Sequence, residues 1–182
     1  MLFYLAPMEG ITGYIVRNAY AHYFPYIDKC FTPFIPAAKK MSKKIKQDLA
    51  AENNGQIRLV PQLIGNRADE FLMMIRQLEE LGFTSVNLNF GCPSGTVVSK
   101  RKGAGFLADP KELEMLLEEV LENSPLAVSV KTRVGIKDPD EWEALCGVYA
   151  KFPLEELIIH PDRKSTRLNS SHSRKSRMPS SA

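Results

Sequence analysis

Ser85–Phe106 reads SVNLNFGCPSGTVVSKRKGAGF. It opens as a short strand, Ser85–Asn89, in which apolar Val86 and Leu88 alternate with Asn87 and Asn89 at the two-residue period of an extended chain. Gly91 is expected to break the strand by taking a backbone geometry that other residues resist, and Pro93 to stop further pairing. Cys92 then stands at the mouth of a turn directly after a buried strand. A glycine-punctuated basic loop follows, Lys100-Arg101-Lys102-Gly103-Ala104-Gly105. An isolated cysteine is most often a small buried hydrophobe. A thiol at a strand end, beside two asparagines and a basic loop, is instead placed for chemistry.

The same unit repeats on both sides of this stretch. Downstream, Asp109-Pro110 supplies an N-cap and first residue for a helix with Leu113, Leu116, Leu117, Val120 and Leu121 inward. Leu126–Val130 is the next strand, ending in Lys131-Thr132-Arg133-Val134-Gly135. Asp138-Pro139 precedes a helix through Trp142, Leu145 and Tyr149, with Cys146 as a structural residue. Leu154–Ile159 is a further strand, ending in His160-Pro161. Upstream, Phe3–Ala6 is an apolar strand running into Pro7-Met8-Glu9-Gly10, followed by helical spacing from Tyr14 to Tyr23. Lys29–Ile35 is a strand weakened by Pro33, and Lys39–Glu52 a charged helix whose lysines read as a solvated face. Ile57–Ile64 is a strand. Asn66 is expected to cap a helix with Leu72, Ile75, Leu78 and Leu81 on one face and Gly82 as its stop. Met73 and Met74 read as helix packing.

Six strand–loop–helix repeats with apolar strands predict an α/β fold with a parallel sheet covered by helices. Polar residues gather at strand carboxyl ends: Pro7-Met8, Gln62, Asn89 to Cys92, Lys131 and His160. In a (β/α)8 TIM barrel those ends converge on one face, where active sites lie. A doubly wound sheet is the alternative, and it would concentrate the site at one switch point.

The 182 residues suffice for one domain with a sizeable core. Three widely spaced cysteines, Cys30, Cys92 and Cys146, argue against a disulfide framework or a zinc site and fit a reducing, cytoplasmic setting. No apolar run approaches the ~18 residues that span a bilayer, and MLFYLAPMEG lacks the features of a signal peptide. The formal charge of +3 is misleading. Asp162–Ala182 holds six Lys/Arg and one Asp, leaving 18 basic and 20 acidic residues in 1–161, a net of −2. Any nucleic-acid binding must therefore rest on a local patch.

V-N-L-N-F-G-C-P, three residues, Val97, five residues, then Gly103-Ala104 resembles the signature of the tRNA-dihydrouridine synthases. Leu5-Ala6-Pro7-Met8-Glu9-Gly10-Ile11-Thr12 resembles that family's opening loop, although Gly13 stands where many members carry an acidic residue. The resemblance covers residues 1–161 and implies a partial FMN-binding TIM barrel, truncated after about six βα units. It implies reduction of the C5–C6 double bond of specific uridines in tRNA, with NADPH as reductant and Cys92 as the acid that protonates C5. A thiol suits that task because its ordinary pKa of about 8.5 leaves it protonated at neutral pH. Pro7, Met8, Gln62, Asn89, Lys131 and His160 match cofactor-binding positions. Lys131 would stabilise negative charge on the reduced flavin. Lys100, Arg101, Lys102 and Arg133 are candidates for contact with tRNA. No metal, no membrane and a monomeric full-length form are expected.

Two readings compete with this one. One is a flavin barrel acting on a free pyrimidine, of the dihydroorotate or dihydropyrimidine dehydrogenase kind; the other is a non-catalytic RNA-binding fragment. A barrel of this type needs about 250 residues, with phosphate contacts from the loops after its last strands, so this chain by itself is expected to bind FMN poorly and to have little activity. Asp162–Ala182 holds seven serines and three apolar residues, too few to offset ordering, and is expected to be disordered. It also resembles translated adapter or vector sequence joined to a truncated reading frame.

Overall fold

The computed structural model describes residues 1–55 and 57–161. In chain order they form β1 (Tyr4–Leu5), α1 (Tyr14–Tyr23), β2 (Lys29–Phe31), β3 (Ile35–Pro36), α2 (Lys43–Leu49), α3 (Ala51–Asn54), β4 (Leu59–Val60) and β5 (Gln62–Ile64). There follow α4 (Ala68–Glu80), β6 (Ser85–Asn89), α5 (Gly95–Val98), a 3-10 helix (Gly103–Ala108), α6 (Pro110–Asn123), β7 (Ala127–Arg133), α7 (Glu141–Tyr149) and β8 (Leu157–His160). The expected tail lies outside the described residues.

Every strand pairing is parallel. β1 pairs with β2 and β2 with β4, while β3, β5, β6, β7 and β8 follow one another in the second sheet. β2 and β3 are two halves of one strand line interrupted around Pro33. β4 and β5 are likewise interrupted at Pro61, since proline has no N–H for the ladder. Thr32 bridges the break, its N–H donating to the Val60 carbonyl (3.2 Å) while its Oγ1 accepts from the Gln62 N–H (3.0 Å). Six strand positions thus run in chain order, the arrangement of a (β/α)8 barrel through its first six strands. Among the described residues β1 and β8 do not pair. Glu156, just before β8, accepts from Tyr4 Oη of β1 (2.7 Å, to Oε1) and pairs with Lys29 Nζ at the start of β2 (3.2 Å, to Oε2).

The strands are not uniformly apolar, as the sequence reading had them. Val86, Leu88, Val128 and Val130 face the helices and join Phe71, Met74, Ile75 and Leu78 of α4 with Leu113, Leu117 and Val120 of α6 in one core. The opposite, interior face carries Gln62, Asn87, Asn89 and Ser129, all buried. Burying amides there is tolerable because they bond to one another.

Several boundaries differ from expectation. β7 continues to Arg133, so Lys131 lies within a strand rather than beyond its end. β8 starts at Leu157, three residues late. Asn66 does not cap α4: the N-cap position is Arg67, without a side-chain bond, and Asn66 Nδ2 instead donates to the Lys100 carbonyl (3.1 Å). The buried face of α4 is Ala68, Phe71, Met74, Ile75 and Leu78, with Leu81 about half exposed. Gly82 does end α4. At φ +86 it lets its own N–H reach the Glu79 carbonyl (2.8 Å) and the Phe83 N–H reach Leu78 (3.1 Å), the paired bonds of a Schellman motif. Asp109 caps α6 as expected, accepting from the N–H groups of Lys111 and Glu112. Cys146 is exposed on α7 rather than packed.

Candidate active site

The sheet register assembles the site row by row. Gln62 pairs beside Asn87, and Asn87 beside Ser129; one row higher on this face, Asn89 pairs beside Lys131; above that, Arg133 pairs beside His160. Side chains two residues apart on a strand share a face, so these rows stack toward the carboxyl ends of the strands.

A directed chain of amide hydrogen bonds runs through the lower rows. The N–H groups of Gly91 and Cys92 both donate to Asn89 Oδ1, at 3.0 and 2.9 Å. A backbone N–H can only donate, so Asn89 Oδ1 is the acceptor and its Nδ2 must donate, here to Gln62 Oε1 (2.7 Å). Gln62 Nε2 then donates to Asn87 Oδ1 (2.8 Å), Asn87 Nδ2 to Ser129 Oγ (2.9 Å), and the Ser129 hydroxyl to the Val86 carbonyl (3.1 Å). Asn89 therefore holds the Cys92 turn directly, and Gln62, Asn87 and Ser129 hold Asn89.

That pinning, rather than an unusual conformation at Gly91, ends the strand. Gly91 has no positive φ, and a Cβ there would meet the Thr132 backbone at an ordinary 3.5 Å. The glycine on which this turn closes is Gly103. Its φ is +54, and a Cβ would stand 2.8 Å from the Cys92 carbonyl oxygen, 2.9 Å from Val97 Cγ1 and 3.0 Å from Cys92 Cβ. The Ala104 N–H donates to that same Cys92 carbonyl (3.0 Å). Gly103 and Ala104 thus close on Cys92, and the Val97 side chain packs against Gly103. Below them, the Phe90 and Phe106 rings stack (centroids 5.6 Å) and anchor both ends of the segment in the core.

Cys92 is partly exposed and Lys131 half-buried. Burial, and then the Arg133 guanidinium, push the Lys131 ammonium below its ordinary pKa; the neighbouring Cys92 opposes that shift. No described carboxylate lies within salt-bridge distance of Lys131. A partly desolvated cation without an acid fits an anionic or electron-rich ligand in this mouth.

The remaining expected residues are less uniformly placed. Pro7 is half-buried and Met8 exposed, in a loop held by Thr12, whose Oγ1 accepts from the Met8 N–H (2.8 Å). Gln62 is fully buried with both ends of its amide engaged. His160 is exposed at the upper row. Arg133 Nε donates to the Gly91 carbonyl (2.7 Å) and braces the Cys92 turn. Lys100 and Arg101 are exposed and Lys102 partly so; Arg101 has φ +52 and its guanidinium pairs with Glu112.

Sequence reasoning missed Asn87 and Ser129, although the polar positions of SVNLN and AVSVK signal a polar interior face. It also missed Asp48. At the Gly13 position, where an acid was expected, the Asp48 carboxylate of α2 accepts from the Tyr14 N–H (2.7 Å) and pairs with fully buried Arg17 (3.0 Å). The Asp48 carboxylate thus lies against the backbone at Gly13 and Tyr14.

Comparison with protein-family profiles matches residues 4–175 to the family described as Dihydrouridine synthase (Dus). The chain belongs to the dihydrouridine synthase family. Among similar proteins of this family are the probable tRNA-dihydrouridine synthase 2 of Bacillus subtilis (strain 168), 29% identical over 161 residues, and the probable tRNA-dihydrouridine synthase of Staphylococcus epidermidis (strain ATCC 12228), 31% identical over 162. Each alignment covers 87% of this chain and 49% of the relative. The tRNA-dihydrouridine(16) synthase of Pseudomonas putida is 30% identical over 88% of this chain and 52% of its own length. The chain spans about half the length of the curated relatives it matches. Among solved structures, the carboxyl transferase domain of Rhizobium etli pyruvate carboxylase, with pyruvate and biocytin, aligns over 87% of this chain and 26% of that one. Its TM-score is 0.56 at 12% identity, a likeness of fold alone. No helix among the described residues is long and apolar enough to cross a membrane.

Proposed function

We propose that the dihydrouridine synthase to which these residues belong reduces uridines in tRNA to 5,6-dihydrouridine, with FMN and NADPH, and that Cys92 donates the proton to C5. FMN, when bound, would supply the hydride to C6 of the uracil after reduction by NADPH. Lys131, Asn89, Pro7, Met8 and His160 would hold the cofactor, and Gln62 would support it from beneath Asn89. Lys131 faces the negative charge that reduction brings, with no carboxylate of its own to neutralise it. Asn89 fixes the two N–H groups of the Cys92 turn, so the thiol approaches a base from one side only. Arg133 and Lys100 to Lys102 line the route of the RNA. The target uridine must leave its stack to reach a thiol set in a sheet mouth. This reading carries with it a cytoplasmic setting, in keeping with three widely spaced cysteines.

The observation that carries this reading is the pairing of Cys92, locked by Asn89 and Gly103, with the acid-free Lys131 in the next strand. Placement of a general acid contributes about 10²–10⁴-fold in rate. In the full-length protein, Cys92→Ala should lower dihydrouridine formation in tRNA by that factor while bound FMN, read by its visible absorbance, is unchanged. Full activity of Cys92→Ala would refute the assignment. Equal activity on free uracil would favour the free-pyrimidine dehydrogenase reading. The 182-residue chain alone should purify with little FMN; a stoichiometric yellow chain would overturn that part.

A further inference from the structure

Beside the site, on the same carboxyl-end face, lies a groove of about 670 Å³ between the loop after β1 and the β2–β3 connection, flanked by α2. That volume is within the usual range of ligand sites, about 300–1,000 Å³. Its walls include Ile11, Tyr14, Ile15, Phe34, Ile45 and Lys44. Ile11 and Ile15 are 55% and 69% exposed, an apolar surface that the described residues leave uncovered.

The segment that meets the groove at Lys44 is cationic. Lys39, Lys40, Lys43, Lys44 and Lys46 fall within eight residues that contain no acid, in a 1–161 region whose net charge is −2. All five are exposed, and among the described residues none has a carboxylate within salt-bridge distance. Lys43 and Lys44 occupy the first turn of α2, which has no acidic residue. Positive charge at that end opposes the helix dipole, so helix stability does not account for them. Two acids line the groove. Asp48 is neutralised by Arg17, and only Glu9 is left to oppose the lysines.

We propose that this groove binds a single-stranded stretch of the substrate RNA flanking the target uridine. Bases would stack on Phe34 and Tyr14, and the phosphates would lie along the Lys39–Lys46 segment. Aromatic platforms beside a cationic track are the chemistry of single-strand binding. The solvated-face reading of these lysines explains neither the aromatic walls nor the missing acids. The inference rests on the RNA-substrate reading given above and adds a location that this reading did not include.

The test is binding of fluorescently labelled tRNA by the full-length protein, followed by anisotropy from about 50 to 200 mM salt. Lys43→Gln/Lys44→Gln/Lys46→Gln should weaken binding and reduce the slope of log affinity against log salt by about 2, since each single-strand phosphate contact contributes about 0.7. Phe34→Ala should weaken binding about tenfold with the salt slope unchanged, the signature of lost stacking. The lysine variant alters only exposed side chains and keeps the test valid if Phe34→Ala fails to fold. Wild-type affinity and slope in the lysine variant would overturn the groove assignment while leaving the RNA reading intact. Absence of tRNA binding by the unaltered full-length protein would overturn the RNA-substrate reading, and the groove assignment with it. Concentration-dependent self-association abolished by Phe34→Ala, with tRNA binding unchanged, would make a second copy the occupant and also overturn the proposal.

Discussion

Gly103→Ala should be among the most damaging single-methyl changes in the molecule, and its cost can be separated into two parts. The first is conformational. At φ +54 an L side chain is held in the left-handed region, at roughly 1–2 kcal/mol. The second is steric. The new Cβ would stand 2.8 Å from the Cys92 carbonyl oxygen and 3.0 Å from Cys92 Cβ. That carbonyl cannot retreat freely, because it accepts the Ala104 N–H and belongs to a turn whose N–H groups are pinned by Asn89. Overpacking of this kind costs about 1–3 kcal/mol, giving about 2–5 kcal/mol in all. Two other glycines calibrate the estimate. Gly82 has φ +86 but nothing within 4 Å of an added Cβ, so Gly82→Ala reports the conformational part alone, about 1–2 kcal/mol. Gly147 lies inside α7 with open space around it, and Gly147→Ala should stabilise by about 0.5–1 kcal/mol. The assay is urea unfolding of the three variants at a common m-value, with Cys92 alkylation followed in a Cys146→Ser background. Gly103→Ala should also change the alkylation rate, while Gly82→Ala should not. A Gly103→Ala cost no larger than that of Gly82→Ala would refute the close approach of Gly103 to Cys92.

Asp48→Ala leaves the guanidinium of fully buried Arg17 without its carboxylate and should cost about 3–5 kcal/mol in urea unfolding; Asp48→Ala/Arg17→Met should recover much of that loss, and additive effects would argue against the pair. Asn89→Ala removes the acceptor of the Gly91 and Cys92 N–H groups, and should speed Cys92 alkylation several-fold with less effect on global stability, whereas an unchanged rate would show that the turn holds itself. Burial alone would raise the Glu141 carboxyl, but the N–H groups of Ile136, Asp138 and Lys137 outweigh it and hold its pKa below the ordinary value. Its stabilisation is therefore present above the ordinary carboxylate pKa and lost as pH falls through the folded value; Glu141→Gln should flatten that acid limb, and an unaltered limb would count against these bonds. Lys131 has the reverse sign: its folded pKa is lowered, so a penalty present at neutral pH is relieved as pH rises from the folded value toward the ordinary lysine value. Lys131→Met should remove that alkaline rise in stability.

Much of the fold was legible along the chain because its signals are local. The boundaries of α1 and β6, the start of α6 and the end of α4 follow from apolar spacing, an Asp-Pro cap and the Gly82 stop, each of which involves residues within a turn or two. Pro33 marks its strand as weakened along the chain, whereas the break at Pro61 within Ile57–Ile64, read as one strand, shows only in the sheet pairing. The misplaced Asn66 cap and the shifted face of α4 have a tertiary cause. Asn66 is drawn to the Lys100 carbonyl of another loop, and Phe71 turns toward Phe90.

The chain by itself determined the parallel α/β class, the position of Cys92 and its spacing to Val97, Gly103 and Ala104, because hydrophobic period, turn chemistry and motif spacing are properties of neighbours in sequence. Only the tertiary structure decided what those positions do. Asn87 lies 42 residues from Ser129 and Gln62 lies 27 from Asn89, yet strand register makes them one hydrogen-bonded chain. The Tyr14 N–H and buried Arg17 meet their carboxylate, Asp48, 34 and 31 positions further along the chain. Long-range pairings of this kind are set by sheet register and helix packing, and a linear pattern of residues carries no record of which distant amide or carboxylate will meet which.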